Sequence, residues 1–322
     1  MRTDKRLDEA WQKALIVPFD DRDRFILFSD AHRGDNSAAD EFAHNQSVFY
    51  HALSWYHTRG YTFIEGGDGD EMWEHRRFHH IREAHGDVYQ LMARFHKDKR
   101  LLLLYGNHNM YWRSPAAVQR SLHRFFDTYV DEEADLFPGI AVHEAIRLRH
   151  TGTGQEMLVL HGHQGDLMND QLWRVSMVMF RYFWRFMHIV GFRNPSSPAK
   201  NVLKQHKIEK NYLRWIARTG IPILCGHTHR PKFPAQDDLP YVNSGCCVHP
   251  RGITGIEVAE GEIALVHWRI SPDEQGVLAV TRKVIRGPLP LSALHRKANP
   301  DTSARTAQTK GKAGSGSRSS SP

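Results

Sequence analysis

Five times along this chain a short apolar run stops at a cluster of small, acidic and imidazole residues. Phe25-Ile-Leu-Phe28 leads to Asp30-Ala31-His32, and Tyr61-Thr-Phe-Ile64 to Gly67-Asp68. Leu101-Leu-Leu-Leu-Tyr105 leads to Gly106-Asn107-His108, Met157-Leu-Val-Leu160 to His161-Gly162-His163, and Ile221-Pro-Ile-Leu-Cys225 to Gly226-His227-Thr228-His229. Short apolar runs bounded by turn residues read as buried strands. Between the first three, residues 40–56 and 79–96 carry apolar side chains at helical spacing, with Phe42, Phe49, Leu53 and Tyr56 near one face of the first. A β-α-β-α-β order demands helical crossovers, and hence an α/β fold with a largely parallel or mixed sheet covered on its faces. Further strands are expected at 253–258, 262–268 and 277–284. Every polar cluster falls where a strand gives way to a loop, the usual position of a site in such sheets.

A chain of 322 residues with 40% hydrophobic content can bury one core of about 200 to 250 residues with an elaboration added. The net charge of +7 is partly local. The chain is basic from Arg282, and from about Lys297 it is rich in Ala, Ser, Thr, Gly and Lys. A segment with nothing apolar to bury stays unfolded, so the expected division is a folded domain over 1–290 and a disordered basic tail over 291–322. The tail reads as a solvated segment, with anionic partners as the other reading. No stable nucleic-acid binding is expected, because the basic excess sits in the tail and an insertion rather than in a reading element. Trp173, Trp184 and Trp215 fit core packing better than base stacking. Cys225, Cys246 and Cys247 form no C-x-x-C pair, which suits a reducing, cytoplasmic location. The polar N-terminus lacks the pattern of a signal peptide, and no run of about 18 uncharged apolar residues exists to span a bilayer.

Between the fourth and fifth clusters lies an insertion, roughly 167–219, with a mostly helical pattern. Val175, Val178, Met179, Tyr182, Phe183, Phe186, Met187 and Val190 recur at i, i+3, i+4 and i+7. Arg181, Arg185 and His188 make a narrow basic stripe beside Phe180 and Trp184. Such a helix either packs between other elements or forms an apolar lid with a cationic edge. Asn201, Lys204 and Lys207 follow on a second helix, where they form either a solvated face or a contact for diphosphate or sugar.

The clusters offer carboxylate oxygens, one amide oxygen and imidazole nitrogens, the ligand set of a two-metal hydrolytic centre. Two cations about 3.5–4 Å apart need a bridging carboxylate and terminal ligands on each side. Asp68 follows a Gly pair that permits close backbone approach, which makes it the natural bridge. Asp30 and His32 are two residues apart, and in an extended segment both side chains would grip one ion; His227 and His229 have the same spacing and can turn towards the same centre. Asn107 and His161 complete the set.

In order and spacing, these motifs resemble the calcineurin-like metallophosphoesterases, whose pattern is Asp-x-His, Gly-Asp, Gly-Asn-His, a His-Gly segment and Gly-His-x-His. The match covers about residues 25 to 230, and the C-terminal strands to about 285 suit the same core. The resemblance implies an α+β sandwich of two mixed β-sheets packed together and flanked by helices. It implies one metal held by Asp30, His32 and His229 and a second by Asn107, His161 and His227, with Asp68 between them. His108 would contact phosphate and protonate the leaving oxygen, and Glu71 is placed to orient it, where the family often has Asp. His161 is preferred to His163 because it lies nearer the strand end. Asn109 departs from the family, which usually has an acid there. A thiolate-free set suits manganese, and also iron, zinc, cobalt or nickel.

Gly67-Asp-x-x-Glu-x-x-Glu74 and the insertion are similar to the branch that hydrolyses UDP-2,3-diacylglucosamine in lipid A synthesis, where the insertion holds acyl chains. That branch often has Arg in place of His108, and the C-terminal part here is longer. The expected activity is hydrolysis of a phosphodiester or pyrophosphate bond in a nucleotide-linked or lipid-linked substrate, with Arg181, Arg185, Lys204 and Lys207 as substrate contacts. A peripheral contact at the inner membrane face is compatible with this reading. The alternatives are a phosphomonoesterase resembling the serine/threonine protein phosphatases and a non-catalytic metal-binding scaffold.

Overall fold

The computed structural model describes residues 3–128, 130–184 and 202–295, with side chains at all of these except 183, 184 and 202–205. The chain opens with α1 (Thr3–Lys13), β1 (Leu15–Phe19) and β2 (Phe25–Phe28). There follow α2 (Gln46–Thr58), β3 (Thr62–Gly66), α3 (Phe78–Ala84), α4 (Gly86–Lys97) and β4 (Leu101–Leu104). A short α5 (Pro115–Val118) precedes a separate hairpin of β5 (Arg124–Asp127) and β6 (Glu132–Asp135). Next come β7 (Val142–His143), β8 (Ala145–His150) and β9 (Glu156–Leu160). After α6 (Trp173–Met179) and α7 (Val202–Thr219), the chain ends in β10 (Ile223–Cys225), β11 (Tyr241–Asn243), β12 (Ile253–Ala259), β13 (Glu262–Pro272) and β14 (Leu278–Pro290).

These strands form a seven-stranded sheet in the order β14-β13-β12-β2-β3-β4-β7 and a five-stranded sheet in the order β1-β8-β9-β10-β11. Both are mixed: β2, β3, β4 and β7 pair in parallel, whereas β12, β13 and β14 are antiparallel. Alternation along β2 explains the layering. Phe25 and Leu27 face the second sheet, in one core with Ile146, Leu148, Val159 and Leu224. Ile26 and Phe28 face the opposite way, against Phe49 and Leu53 of α2 and Phe95 of α4. The outer face of the second sheet is covered by Leu7 and Ala10 of α1 and by Ile208, Tyr212, Trp215 and Ile216 of α7. The result is the expected sandwich of two mixed sheets with helices outside.

Three boundaries differ from the sequence reading. The helix expected over 40–56 begins only at Gln46, because the Asp40 side chain is used to fold the preceding loop. Its carboxylate accepts from the backbone N–H of Gly34, Asn36 and Phe42. The helix expected over 79–96 breaks at His85, whose buried ring is drawn to Asp40 Oδ2 at 2.8 Å and to Gln46 Oε1 at 3.0 Å. The folded domain also extends past 290: Leu291–Leu294 forms a helical turn, and Leu291 and Leu294 are buried against the inter-sheet core. Residues 296–322 lie outside the described set.

The insertion has two characters. Trp215 in α7 is a core residue whose indole N–H donates to Asp8 at 2.8 Å. By contrast Val175, Val178 and Met179 of α6 are each about half exposed, so its described part does not serve as a core helix. Phe186, Met187, His188, Val190 and Asn201 are outside the described residues. No described helix is long and apolar enough to cross a membrane.

Burial pushes the Asp40 carboxyl up, but His85 and the backbone N–H groups outweigh it and leave it below its usual value. A carboxylate with a lowered folded pKa contributes stability that is complete above its unfolded value, about 3.9, and disappears as pH falls through the folded value. Asp40→Asn is therefore expected to cost about 1–3 kcal/mol at pH 7. Chemical denaturation should show the gap from wild type narrowing below about pH 4.

Candidate metal centre

The loops after β2, β3, β4, β9 and β10 meet at one end of the sandwich, and backbone hydrogen bonds lock them together. The parallel pairing of β2 with β3 continues into the loops, where Asp30, His32 and Arg33 donate to the carbonyls of Gly67, Asp68 and Gly69 at 2.8–3.0 Å. Gly226 N–H donates to the His161 carbonyl at 2.8 Å and joins the β9 and β10 loops in the same manner. Glycine is required where these loops cross. A Cβ on Gly106 would lie 2.1 Å from Asp68 Oδ1, and one on Gly226 would lie 2.3 Å from Asp30 Oδ2.

Five candidate ligands sit in left-handed backbone: Asp30, His32, Asp68, His227 and His229, with φ between 48° and 68°. Residues other than glycine rarely adopt this region, and it costs on the order of 1–3 kcal/mol each. This corrects the expectation of extended Asp-x-His and His-x-His segments. Asp30 and His32 reach one group from left-handed backbone, whereas His227 and His229 go to two different groups.

The side chains converge accordingly. Asp30 Oδ1 lies 3.2 Å from His229 Nε2, 3.9 Å from His161 Nε2 and 4.0 Å from His32 Nε2. Asp68 Oδ2 lies 3.1 Å from His161 Nε2 and 3.9 Å from His32 Nε2. His32 Nε2 and His229 Nε2 are 3.2 Å apart. Three groups with cation-sized spacing result among the described residues: Asp30–His32–His229, Asp68–His161–His227 and His32–Glu71–His108. Asn107 Oδ1, His161 Nε2 and His227 Nε2 are buried with no hydrogen-bond partner among the described residues. Buried polar atoms are normally satisfied; His161 Nε2 and His227 Nε2 meet only carboxylate oxygens, of Asp68 at 3.1 Å and Asp166 at 3.9 Å, and Asn107 Oδ1 has no such neighbour, a pattern that suits a cation held there. The donor set could therefore hold metal ions.

The electrostatics point the same way. Burial pushes Asp30 and Asp68 up, yet the facing imidazoles outweigh it and hold both carboxyls far below their usual range. Conversely, Asp68 and Asp30 raise His161, and Asp30 raises His229, against the effect of burial. The two carboxylates thus draw positive charge to this point, as protons on imidazole or as metal cations.

The ligands are oriented from behind. His161 Nδ1–H donates to the Gly66 carbonyl at 3.0 Å, which turns Nε2 toward the carboxylates. Glu71 does this twice, with Oε2 at 2.8 Å from His32 Nδ1 and 2.7 Å from His108 Nδ1. Glu71 thus lies within hydrogen-bond distance of both His108 and His32. Asn109 has a place as well. Its side-chain oxygen accepts from Gly106 N–H at 2.6 Å and lies 3.3 Å from Asp68 N–H, and an amide oxygen can accept both bonds as a carboxylate would. His163 is buried with neither ring nitrogen hydrogen-bonded among the described residues, and burial pushes it well below its usual value; its ring lies 5.5 Å from that of His161 and 6.4 Å from that of His227.

The expected substrate contacts fare differently. Arg181 donates from Nε to the Trp73 carbonyl at 2.7 Å and from Nη2 to the Met72 carbonyl at 2.9 Å, so it joins the insertion to the site. Lys207 is exposed on α7. Arg185 and the side chain of Lys204 lie outside the described residues. Sequence reasoning missed Trp73, whose indole stacks on His108 with centroids 4.0 Å apart and planes 19° apart. It also missed Arg33, fully buried next to His32 and paired with Glu65 at 2.7 Å and Asp70 at 2.8 Å. The signal for both was proximity: Trp73 lies two residues from Glu71, and Arg33 follows the first motif directly.

No family model matches this chain, and no curated protein does. Among solved structures it is similar to the cold-active protein-tyrosine phosphatase of a psychrophile, Shewanella sp., at 12% identity over 85% of this chain and 84% of that one, with a TM-score of 0.37. A further structure of a cold-active protein tyrosine phosphatase gives 12% identity, 79% of each chain and a TM-score of 0.34. Likeness at that level carries no argument for fold or function.

Removing one partner from a buried ion pair leaves the others uncompensated, at a cost of about 3–5 kcal/mol. Arg33→Met is expected to lower unfolding stability by that amount in a denaturant titration. A loss below about 1 kcal/mol would show that the pair does not hold the two loops.

Proposed function

We propose that this chain is a dinuclear metal-dependent phosphoesterase of the calcineurin-like type, cleaving a phosphodiester or pyrophosphate bond. The observation that carries this reading is the convergence of two carboxylates and four imidazoles, beside the buried Asn107 Oδ1, which has no hydrogen-bond partner among the described residues. Asp30, His32 and His229 would hold one cation, Asn107, His161 and His227 the other, and Asp68 would lie between them. Bound cations of this kind polarise phosphoryl oxygens and acidify water.

The residues supply the rest. His108 is held through Nδ1 by Glu71, and its backbone N–H donates to Asp68 Oδ1 at 2.8 Å. Burial lowers its basicity, but Glu71 and Asp68 outweigh that and raise it above the usual value. With Nδ1 taken by Glu71, Nε2 is the nitrogen left to give a proton to the leaving oxygen. Glu71 plays the orienting part, and its own carboxyl stays ionised because His108 and His32 outweigh burial.

The insertion supports an amphiphilic substrate. Phe180 lies against His108 with centroids 5.5 Å apart, while Val175, Met179 and Tyr182 on the same segment are exposed. An apolar surface beside a phosphoester centre suits a lipid-linked or nucleotide-linked diphosphate, as in the branch that hydrolyses UDP-2,3-diacylglucosamine.

Chelation is expected to abolish hydrolysis of bis(4-nitrophenyl) phosphate and manganese to restore it. Asp68→Asn should bind less metal and lose at least about 10²-fold in kcat/KM. Full activity in that variant would end the two-metal reading. A clear preference for 4-nitrophenyl phosphate over the diester would favour a phosphomonoesterase instead.

A further inference from the structure

The turn that carries Glu71 is gripped from both sides. On the inner side, Glu71 binds His32 and His108, and its Oε1 also accepts the backbone N–H of Trp73 at 3.2 Å. On the outer side, the insertion reaches the next two residues: Arg181 takes the carbonyls of Met72 and Trp73, and Phe180 packs on the Trp73 ring with centroids 5.7 Å apart. Trp73 itself is buried and lies nearly parallel on His108. Arg76, on the same turn, is hydrogen-bonded to Tyr182 of the insertion. The His108 ring thus has Glu71 at its Nδ1, Trp73 on one face and Phe180 approaching at 81°.

A hydrogen bond to Nδ1 fixes the direction of an imidazole but leaves it free to rock about that bond. A ring stacked on its face removes the remaining freedom, and a misplacement of about 1 Å at a reacting atom can cost on the order of 10²-fold in rate. We propose that the insertion acts as a clamp on the proton donor: Phe180 and Arg181 hold Trp73 in its stack on His108, so that Trp73, Phe180 and Arg181 are positioning residues for proton transfer. This rests on the reading of His108 as proton donor. It gives the insertion a part in the chemical step in addition to any contact with substrate, and it gives Arg181 a role other than binding phosphate.

Two measurements test it. In zinc-loaded protein, which is diamagnetic, the His108 ring protons should be shifted upfield by the Trp73 ring. The shift should vanish in Trp73→Ala and shrink in Phe180→Ala and Arg181→Met. In manganese-loaded protein, diphenyl phosphate and bis(4-nitrophenyl) phosphate separate the chemistry, since only the poorer leaving group depends strongly on a proton donor. Trp73→Ala should lose about 10²-fold in kcat on the diphenyl ester, with KM little changed and a much smaller loss on the nitrophenyl ester. Phe180→Ala and Arg181→Met should lose about tenfold with the same selectivity. Trp73→Phe and Arg181→Lys, which keep a stacking ring and a donor to the carbonyls, should recover most of the rate.

His108→Asn is the control. If it shows no selective loss on the diphenyl ester, the proton-donor reading falls, and the clamp falls with it as a catalytic device. If His108→Asn shows the loss while Phe180→Ala and Arg181→Met leave both the His108 resonances and the leaving-group ratio as in wild type, the clamp alone is overturned.

Discussion

The centre depends on a guanidinium buried beneath it. Arg33 has no exposed surface, and the chain gives it Glu65 from β3, Asp70 from the following loop and the Tyr89 hydroxyl from α4. Asp70 is further held by Tyr89 and by the Trp112 indole N–H at 3.1 Å. Burying such a charge is costly unless every partner is in place, so the cluster admits essentially one arrangement. That arrangement brings the loop after β2 alongside the loop after β3. Asp30 and His32 precede Arg33 in one loop, while Asp68 and Glu71 flank Asp70 in the other. The ion pair therefore fixes the register in which the carboxylates and imidazoles face each other.

Above this base the backbone is strained and the side chains are crowded. Five candidate ligands in left-handed backbone oppose folding, and so does the burial of Asp30 and Asp68, which the facing imidazoles offset. The opposing terms are met by the cross-loop hydrogen bonds of Asp30, His32 and Arg33 and by the apolar core between the sheets. Strain of this kind persists only where the surroundings over-determine it, and such places are commonly functional. The parallel sheet supplies the surroundings, since each strand ends at the same edge and delivers its loop to the same point.

The helical insertion belongs partly to the scaffold and partly to the site. Its second helix, α7, completes the core on the outer face of the five-stranded sheet through Tyr212, Trp215 and Ile216. The described segment before it instead leans on the Met72–Trp73 turn through Phe180 and Arg181. One end is thus anchored in hydrophobic packing, while the other touches the residue proposed to move the proton.

The sequence by itself marked eight of the strands, the helical crossovers that call for largely parallel or mixed pairing, and the candidate ligands. Apolar runs such as 101–105 and the Gly-bounded polar clusters after them are local signals that need no tertiary information. It also pointed to Glu71 beside His108, because a separation of three residues from Asp68 keeps Glu71 in the same loop. Local pattern could not show what depends on contacts between distant segments. Asp40 and His85 are 45 residues apart, yet their hydrogen bond both delays α2 and breaks the helix expected over 79–96. The i, i+2 spacing of Asp30 and His32 suggested a strand; only loop crossings too tight for a Cβ on Gly106 or Gly226 impose the left-handed turns. Likewise Arg181 read as part of a basic stripe and as a substrate contact, and tertiary structure gave it two main-chain carbonyls more than a hundred residues away. Short-range periodicity fixes which residues are apolar and where a strand stops. Which polar groups meet is decided by the packing that brings separate loops to one edge.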